Sequence, residues 1–134
     1  MKSYTDIEQS RKLTKILSIE TADMYHFIHG DNHSDTIGMG YDKTAAEFYS
    51  KTQLEYIPCW SLTALLGVLP FHIISKNERY GFDMGKGLNR NGETYMIRYN
   101  IFSTNICLCK TEYYNNPVDA ACEMILKLHE LNLL

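Results

Sequence analysis

The sequence predicts an α+β domain: an antiparallel sheet of about three to five strands, packed on one face by an N-terminal helix, a short central helix and a C-terminal helix. Three observations carry this expectation. Helix-spaced apolar residues with start signals occur near 7–17, 62–69 and 118–128. Strand-like composition fills the intervals, with one clean alternation over 94–102. The strands that follow the central helix are joined by connections of hairpin length, the pattern of α+β rather than α/β chains. With 134 residues, no repeat and no linker, 1–134 reads as a single domain, long enough to bury roughly two-thirds of its unfolded surface.

Thr5-Asp6-Ile7-Glu8 reads as a capping box, in which hydroxyl and carboxylate cover each other's unpaired N–H groups. Ile7, Leu13, Ile16 and Leu17 then form a thin apolar stripe, with Arg11, Lys12 and Lys15 solvated, so the first helix should run to about Leu17. A first strand is expected at 24–28. Between Gly30 and Tyr41, glycines at 30, 38 and 40 and the turn formers Asp31, Asn32, Ser34 and Asp35 predict a surface loop. The stretch 44–57 is ambiguous: Ala45-Ala46-Glu47-Phe48-Tyr49 suits a helical turn, while 54–57 looks extended before Pro58.

The stretch 57–70 is specified from end to end. It holds the only tryptophan, two of the three prolines and leucines at 62, 65, 66 and 69, the stripe of a short helix with one buried face. Ser61 is placed to cap it, Trp60 and Leu65 have the spacing of a hydrophobic staple, Gly67 suits a left-handed end and Pro70 forbids continuation. It reads as a core anchor.

Phe71-His72-Ile73-Ile74 has strand composition, and 77–92, with glycines at 81, 85, 87 and 92, predicts a hairpin or loop. Over 94–102, Tyr95, Ile97 and Tyr99 share one face and Met96, Arg98 and Asn100 the other. Ser103-Thr104-Asn105 is a turn, and 106–113 returns as the partner strand. Asn116-Pro117 starts the last helix, asparagine as cap and proline at the first helical position, with Val118, Ala121, Cys122, Ile125 and Leu128 on its buried face.

The formal net charge of −3 argues against a phosphate-backbone binder, and no apolar run approaches the ~20 residues of a membrane span. The opening Met1-Lys2-Ser3-Tyr4-Thr5-Asp6 has no secretory pattern, so cytoplasmic localisation and reduced thiols are expected for Cys59, Cys107, Cys109 and Cys122. Cys107 and Cys109 lack the spacing of zinc or dithiol redox motifs, and on a strand they would share one face.

His26, His29 and His33, with Asp23, Asp31 and Asp35 nearby, are the nearest approach to a metal cluster. On a strand, however, His26 and His29 would point to opposite faces, and solvated loop histidines are the expectation. Gly81-Phe82-Asp83-Met84-Gly85-Lys86-Gly87 superficially resembles a phosphate loop but has the wrong spacing and no hydroxyl after the lysine. There is no nucleophile elbow, and a Cys59–His72 pairing is disfavoured by the proline and tryptophan that flank the thiol. Asp83, Glu93, Glu112 and Asp119 have no setting that marks a catalytic pair. Ten tyrosines are many for this length. Tyr80, Phe82, Tyr95, Tyr99 and Tyr113 fall in the presumed sheet and its loops, and are the candidate binding residues, because tyrosine offers contact area at low entropic cost.

Three blocks carry a resemblance. The first is Tyr4-Thr5-Asp6-Ile7-Glu8-Gln9-Ser10-Arg11-Lys12-Leu13 with Ala22-Asp23-Met24. The second is Pro58-Cys59-Trp60-Ser61-Leu62 with Ala64-Leu65-Leu66 and Leu69-Pro70. The third is Asn116-Pro117-Val118-Asp119-Ala120-Ala121-Cys122-Glu123-Met124-Ile125 with Leu128-His129-Glu130. Together they resemble a family of small uncharacterised bacterial proteins from phage and mobile-element regions of gut anaerobes. The resemblance implies no activity. The function expected is therefore a non-enzymatic cytoplasmic binding or adaptor protein of mobile-element type, using sheet and loop residues against a protein partner or small ligand, with no cofactor, nucleic acid or membrane. The alternative is a small metal-dependent enzyme centred on His26, His29 and His33.

Overall fold

Residues 2–30 and 34–134 are described by the computed structural model, and they form four α-helices and seven strands. The α+β class holds. The strands are all antiparallel and are divided between two sheets of three and four strands, where the sequence suggested one. By backbone contacts the chain divides into two compact units, 3–64 and 65–134, the latter joined by Lys2. Among the described residues no helix is long and apolar enough to cross a membrane.

In the N-terminal unit α1 (Ile7–Thr14) starts one residue later than the sequence suggests. Asp6 is the cap and exchanges hydrogen bonds with Gln9, while Thr5 is drawn inward. The Thr5 hydroxyl lies 2.8 Å from Ser10 Oγ and accepts from the Trp60 backbone N–H at 3.1 Å, so it ties the helix entry to the chain at Trp60. The helix stops at Thr14, short of Leu17, because the N–H groups of Ile16 and Leu17 both turn back to the Leu13 carbonyl. A 3-10 turn (Ile19–Thr21) leads into β1 (Met24–Ile28), as expected.

β1 is the centre of a sheet ordered β2-β1-β3, with β2 at Asp35–Met39 and β3 at Glu55–Cys59. β2 corrects the loop expected over 30–41. Its glycine is used as a seat: a Cβ on Gly38 would lie 2.1 Å from the Tyr25 ring, which crosses β2 at that point. Asp31, Asn32 and His33 lie outside the described residues. Pro58 is tolerated inside β3 because β3 is an edge strand, where a missing N–H need not break a ladder. α2 (Lys43–Tyr49), capped by the Asp42 side chain, fills the stretch the sequence left ambiguous.

The register separates two faces. Met24, His26 and Ile28 pair with Cys59, Ile57 and Glu55 on one face, towards α1, where Arg11 pairs with Glu55. Tyr25 and Phe27 pair with Pro58 and Tyr56 on the other, towards α2, where Phe27 meets Tyr49.

α3 (Leu62–Val68) is the predicted central helix, and it begins in the N-terminal unit and ends in the C-terminal one. Ser61 Oγ accepts from the Ala64 N–H, as a cap does, and donates to Asp23 Oδ2. Trp60, Leu65 and Leu69 are buried, but Gly67 keeps an ordinary negative φ, so Pro70 rather than a left-handed glycine marks the stop.

The C-terminal unit is a meander of β4 (His72–Ser75), β5 (Glu78–Asn89), β6 (Gly92–Ile101) and β7 (Ile106–Lys110). Lys76 and Asn77, both with positive φ, make the two-residue turn between β4 and β5. Of the hairpin or loop expected over 77–92 the hairpin is found: β5 is a full strand that turns at 90–91 into β6. Gly81 lies beneath the Phe102 ring, and Gly87 beneath Thr94 and the Tyr113 ring, so cross-strand side chains cover what looked like breakers. β6 buries Tyr95, Ile97 and Tyr99, but Met96 and Asn100 on its other face are buried as well, so the alternation of residue types is not an alternation of burial. β7 ends at Lys110, short of the expected Tyr113, where the Ile97 N–H bonds the Thr111 hydroxyl, and a bulge lies within the strand. Tyr99 pairs with Cys109 but the next residue, Asn100, pairs with Cys107, so the two cysteines face opposite sides of the sheet rather than sharing one. α4 (Pro117–Glu130) packs on β6, capped by Asn116, and buries all five residues assigned to its inner face.

Candidate functional site

The α2 side of the N-terminal sheet gathers five aromatic rings. β1 contributes Tyr25 and Phe27 at alternate positions, β3 contributes Tyr56, α2 contributes Tyr49, and Tyr41 precedes the α2 cap. Tyr56 is the hub. Its ring centroid lies 4.9 Å from Tyr25, 5.1 Å from Tyr41 and 5.8 Å from Tyr49, and Tyr41 is stacked on it at an interplanar angle of 22°. Phe27 meets Tyr49 edge-on at 4.9 Å. Offset and edge-to-face contacts at these separations are favourable, each worth about 0.5–1.5 kcal/mol beyond burial, so the cluster holds its own shape.

A cleft of about 370 Å³ opens against these rings, lined by Tyr25, Phe27, Tyr49 and Tyr56 with Thr36, Gly40, Asp42 and Ala45. Its polar groups are partly fixed. The Tyr56 hydroxyl accepts from the Asp42 N–H at 3.0 Å and donates to the Gly40 carbonyl, and Asp42 Oδ1 accepts from Thr44 N–H at the helix start. Burial holds the Tyr41 and Tyr56 hydroxyls above the usual phenol range, so both remain neutral at physiological pH. The Tyr25 and Tyr49 hydroxyls meet no hydrogen-bond partner among the described residues. Among the described residues the lining carries no cysteine, histidine or lysine. What it offers is ring faces, free phenolic donors and a carboxylate, which is the chemistry of binding.

The candidate residues chosen from the sequence do not make one surface. Tyr95 and Tyr99 are buried towards α4, the former bonded to Glu93 and the latter to the Pro70 carbonyl. Tyr80 and Phe82 are half-buried on β5, Phe82 edge-on to Tyr99 at 5.9 Å. Tyr113 is exposed and lies over Gly87, on the opposite side of the sheet. The signal that would have pointed to the other cluster is Tyr25 and Phe27 alternating with Met24, His26 and Ile28, a strand with aromatics on its second face.

The histidine cluster also needs correction. His26 is 2% exposed, not solvated. Its Nε2 lies 2.8 Å from the Thr5 carbonyl and its Nδ1 2.9 Å from Asp35 Oδ2. Both partners are acceptors, so both ring nitrogens donate and the ring is an imidazolium. Burial opposes that charge, but the Cys59 sulfur, the Thr5 carbonyl and the Asp35 carboxylate outweigh it and raise the pKa to about 9. His29 is exposed and only 3.4 Å from Thr36 Oγ1, and His33 lies outside the described residues. No group of three potential metal ligands occurs among the described residues. Cys59, His26 and Asp35 have the residue types of a thiol catalytic set, but Cys59 is fully buried and both His26 nitrogens are already spent on other atoms. Cys122 is buried, Cys109 is half-buried 3.9 Å from Met124 Sδ, and Cys107 is exposed. Comparison with family models, curated proteins and solved structures returned no match to this chain.

Proposed function

We propose that the chain is a non-enzymatic cytoplasmic binding protein of the mobile-element type its sequence blocks resemble, and that it takes a small ring-shaped ligand in the aromatic cleft of its N-terminal unit. The observation that supports this is the joint presence, in one cleft, of half-buried ring faces and two tyrosine hydroxyls without partners among the described residues. Core aromatics ordinarily satisfy their hydroxyls. Here Tyr95 and Tyr99 do so, and Tyr25 and Tyr49 do not. A ring stacked on Tyr49 or Tyr25 would add the contact these faces lack, and its hydroxyl or amide groups would meet the phenols and Asp42.

The test is ligand-observed NMR with a panel of neutral sugars, nucleosides and aromatic acids, followed by titration of tyrosine-ring-labelled protein. A binder should shift Tyr25, Tyr49 and Tyr56 and lose about tenfold in affinity or more, some 1.4 kcal/mol, in Tyr49→Ala. A binder whose shifts map elsewhere and that ignores Tyr49→Ala removes the cleft from consideration. A pull-down from the native host that depends on Tyr113 or Phe82 instead would favour a protein partner on the other unit.

A further inference from the structure

The second sheet has its own cleft, about 340 Å³, on the face of β6 and β7 opposite α4. The bulge in β7 creates it: the register sets Arg98 opposite Lys110 and Asn100 opposite Cys107. Three features of its lining are incomplete. Like charges directly opposite on neighbouring strands repel. Among the described residues Arg98 meets a single acid, Asp83, which accepts from Nε at 2.7 Å, and the outer edge of the guanidinium has no partner there. Lys110 Nζ has no acidic partner among the described residues. Beneath them Asn100 is 3% exposed; its Nδ2 donates to Asn105 Oδ1 at 3.3 Å, while its Oδ1 is buried with no hydrogen-bond partner among the described residues. A buried acceptor left without a donor destabilises the fold unless something supplies an N–H or O–H. Glu112, the described acid that lines the cleft, has no ion pair among the described residues.

We propose that this cleft is a binding site for a small amino carboxylate. The ligand's carboxylate lies between the Arg98 guanidinium, whose planar fork suits two carboxylate oxygens, and the Lys110 ammonium. Its ammonium donates to Asn100 Oδ1 and faces Glu112 as countercharge. An anion alone would relieve the Arg98–Lys110 repulsion and leave Asn100 unsatisfied; a simple amine would do the reverse. Only a ligand carrying both groups answers all three features, and Glu112 favours an amine over a hydroxyl at the donor end. Asn100 Oδ1 is closed off from bulk solvent, so the donor reaches it by displacing the side chains above. Asn105, exposed on the β6–β7 turn and bonded to the same amide, is the one already in contact.

L-alanine, L-lactate and propionate differ only in carrying an ammonium, a hydroxyl or a hydrogen beside the same carboxylate, and they are the probes. In ¹⁵N-labelled protein, L-alanine should shift the Asn100 side-chain amide, Arg98 Nε and the Lys110 amide together, with about tenfold preference over propionate and L-lactate between them. Lys110→Gln, at an exposed position, should weaken binding of all three by several-fold while keeping their order. Asn100→Ala should shrink the preference for L-alanine several-fold, leaving only what Glu112 supplies, and should it fail to fold, the order in the parent protein still decides. Equal shifts from all three probes would mean an adventitious anion only and overturn the proposal, as would a titration that leaves these three resonances unmoved.

Discussion

At the scale of single residues, two buried groups bear unequal loads. Trp60 is fully buried and its Nε1–H donates to Thr21 Oγ1 at 2.9 Å, so it is held by packing and by a hydrogen bond. Trp60→Ala should cost roughly 3–5 kcal/mol, most of what a small domain can spare, whereas Ser61→Ala, which removes a cap and the bond to Asp23, should cost about 1–2 kcal/mol. Equilibrium urea unfolding of the two variants checks the ranking, and native tryptophan emission should be blue-shifted and resist iodide. His26 gives a pH signature. Its folded pKa of about 9 exceeds the ordinary 6.5, so the folded state binds the proton more tightly than the unfolded chain. The resulting stability is complete below about pH 6.5 and is lost as pH rises towards 9. The melting temperature of the parent should therefore fall across that window, and that of His26→Ala should not. His26→Ala itself should cost about 3 kcal/mol at neutral pH, since it empties a fully buried site and removes a donor from the inward Thr5 carbonyl, while exposed His29→Ala should stay within about 0.5 kcal/mol.

At the scale of elements, the strands rich in glycine behave unlike one another, and substitution should show it. Gly38→Ala drives a Cβ into the Tyr25 ring, which is itself packed on Tyr56, so the ring cluster must shift. A cost of about 1–3 kcal/mol, with altered tyrosine ring resonances, is expected. Gly81→Ala meets only the Phe102 ring, which is 66% exposed on a turn and free to swing away, so thermal unfolding should change little. β2 read as a loop in sequence, and β5 as a hairpin or loop, for the same reason. Glycine is a breaker only where nothing covers it, and the covering rings come from strands and turns far along the chain. The bulge in β7 is a second case: two-residue spacing puts Cys107 and Cys109 on one face only if the ladder is regular. A maleimide titration should label Cys107 rapidly, Cys109 more slowly, and Cys59 and Cys122 only on unfolding.

At the scale of the whole molecule, the expectation is a fold that stands without metal. A chelator should leave the melting temperature within about a degree, and elemental analysis of untagged protein should find no stoichiometric zinc, iron or manganese; a fall of more than ~5 °C on chelation would restore a ligand role to the histidines near 26–33. Helix starts and buried helix faces were legible in the chain, because caps, proline and the i, i+3, i+4 stripe act within a turn or two of sequence. Asn116-Pro117 and the inner face of α4 were read correctly for that reason, and the α+β class was read as well; the two faces of β6 were assigned, but both of them carry buried residues. The division into two sheets, the strands β2 and β5, and the aromatic cleft were not legible. Each depends on which residues meet across strands: Tyr25 over Gly38, Phe102 over Gly81, and four tyrosines from 25, 41, 49 and 56 on one centre. Local sequence determined where the helices begin and which side of them is buried, since those signals are short-range. Register decided where the sites are, since a one-residue step along a strand exchanges the faces of a sheet and only the folded pairing fixes that step.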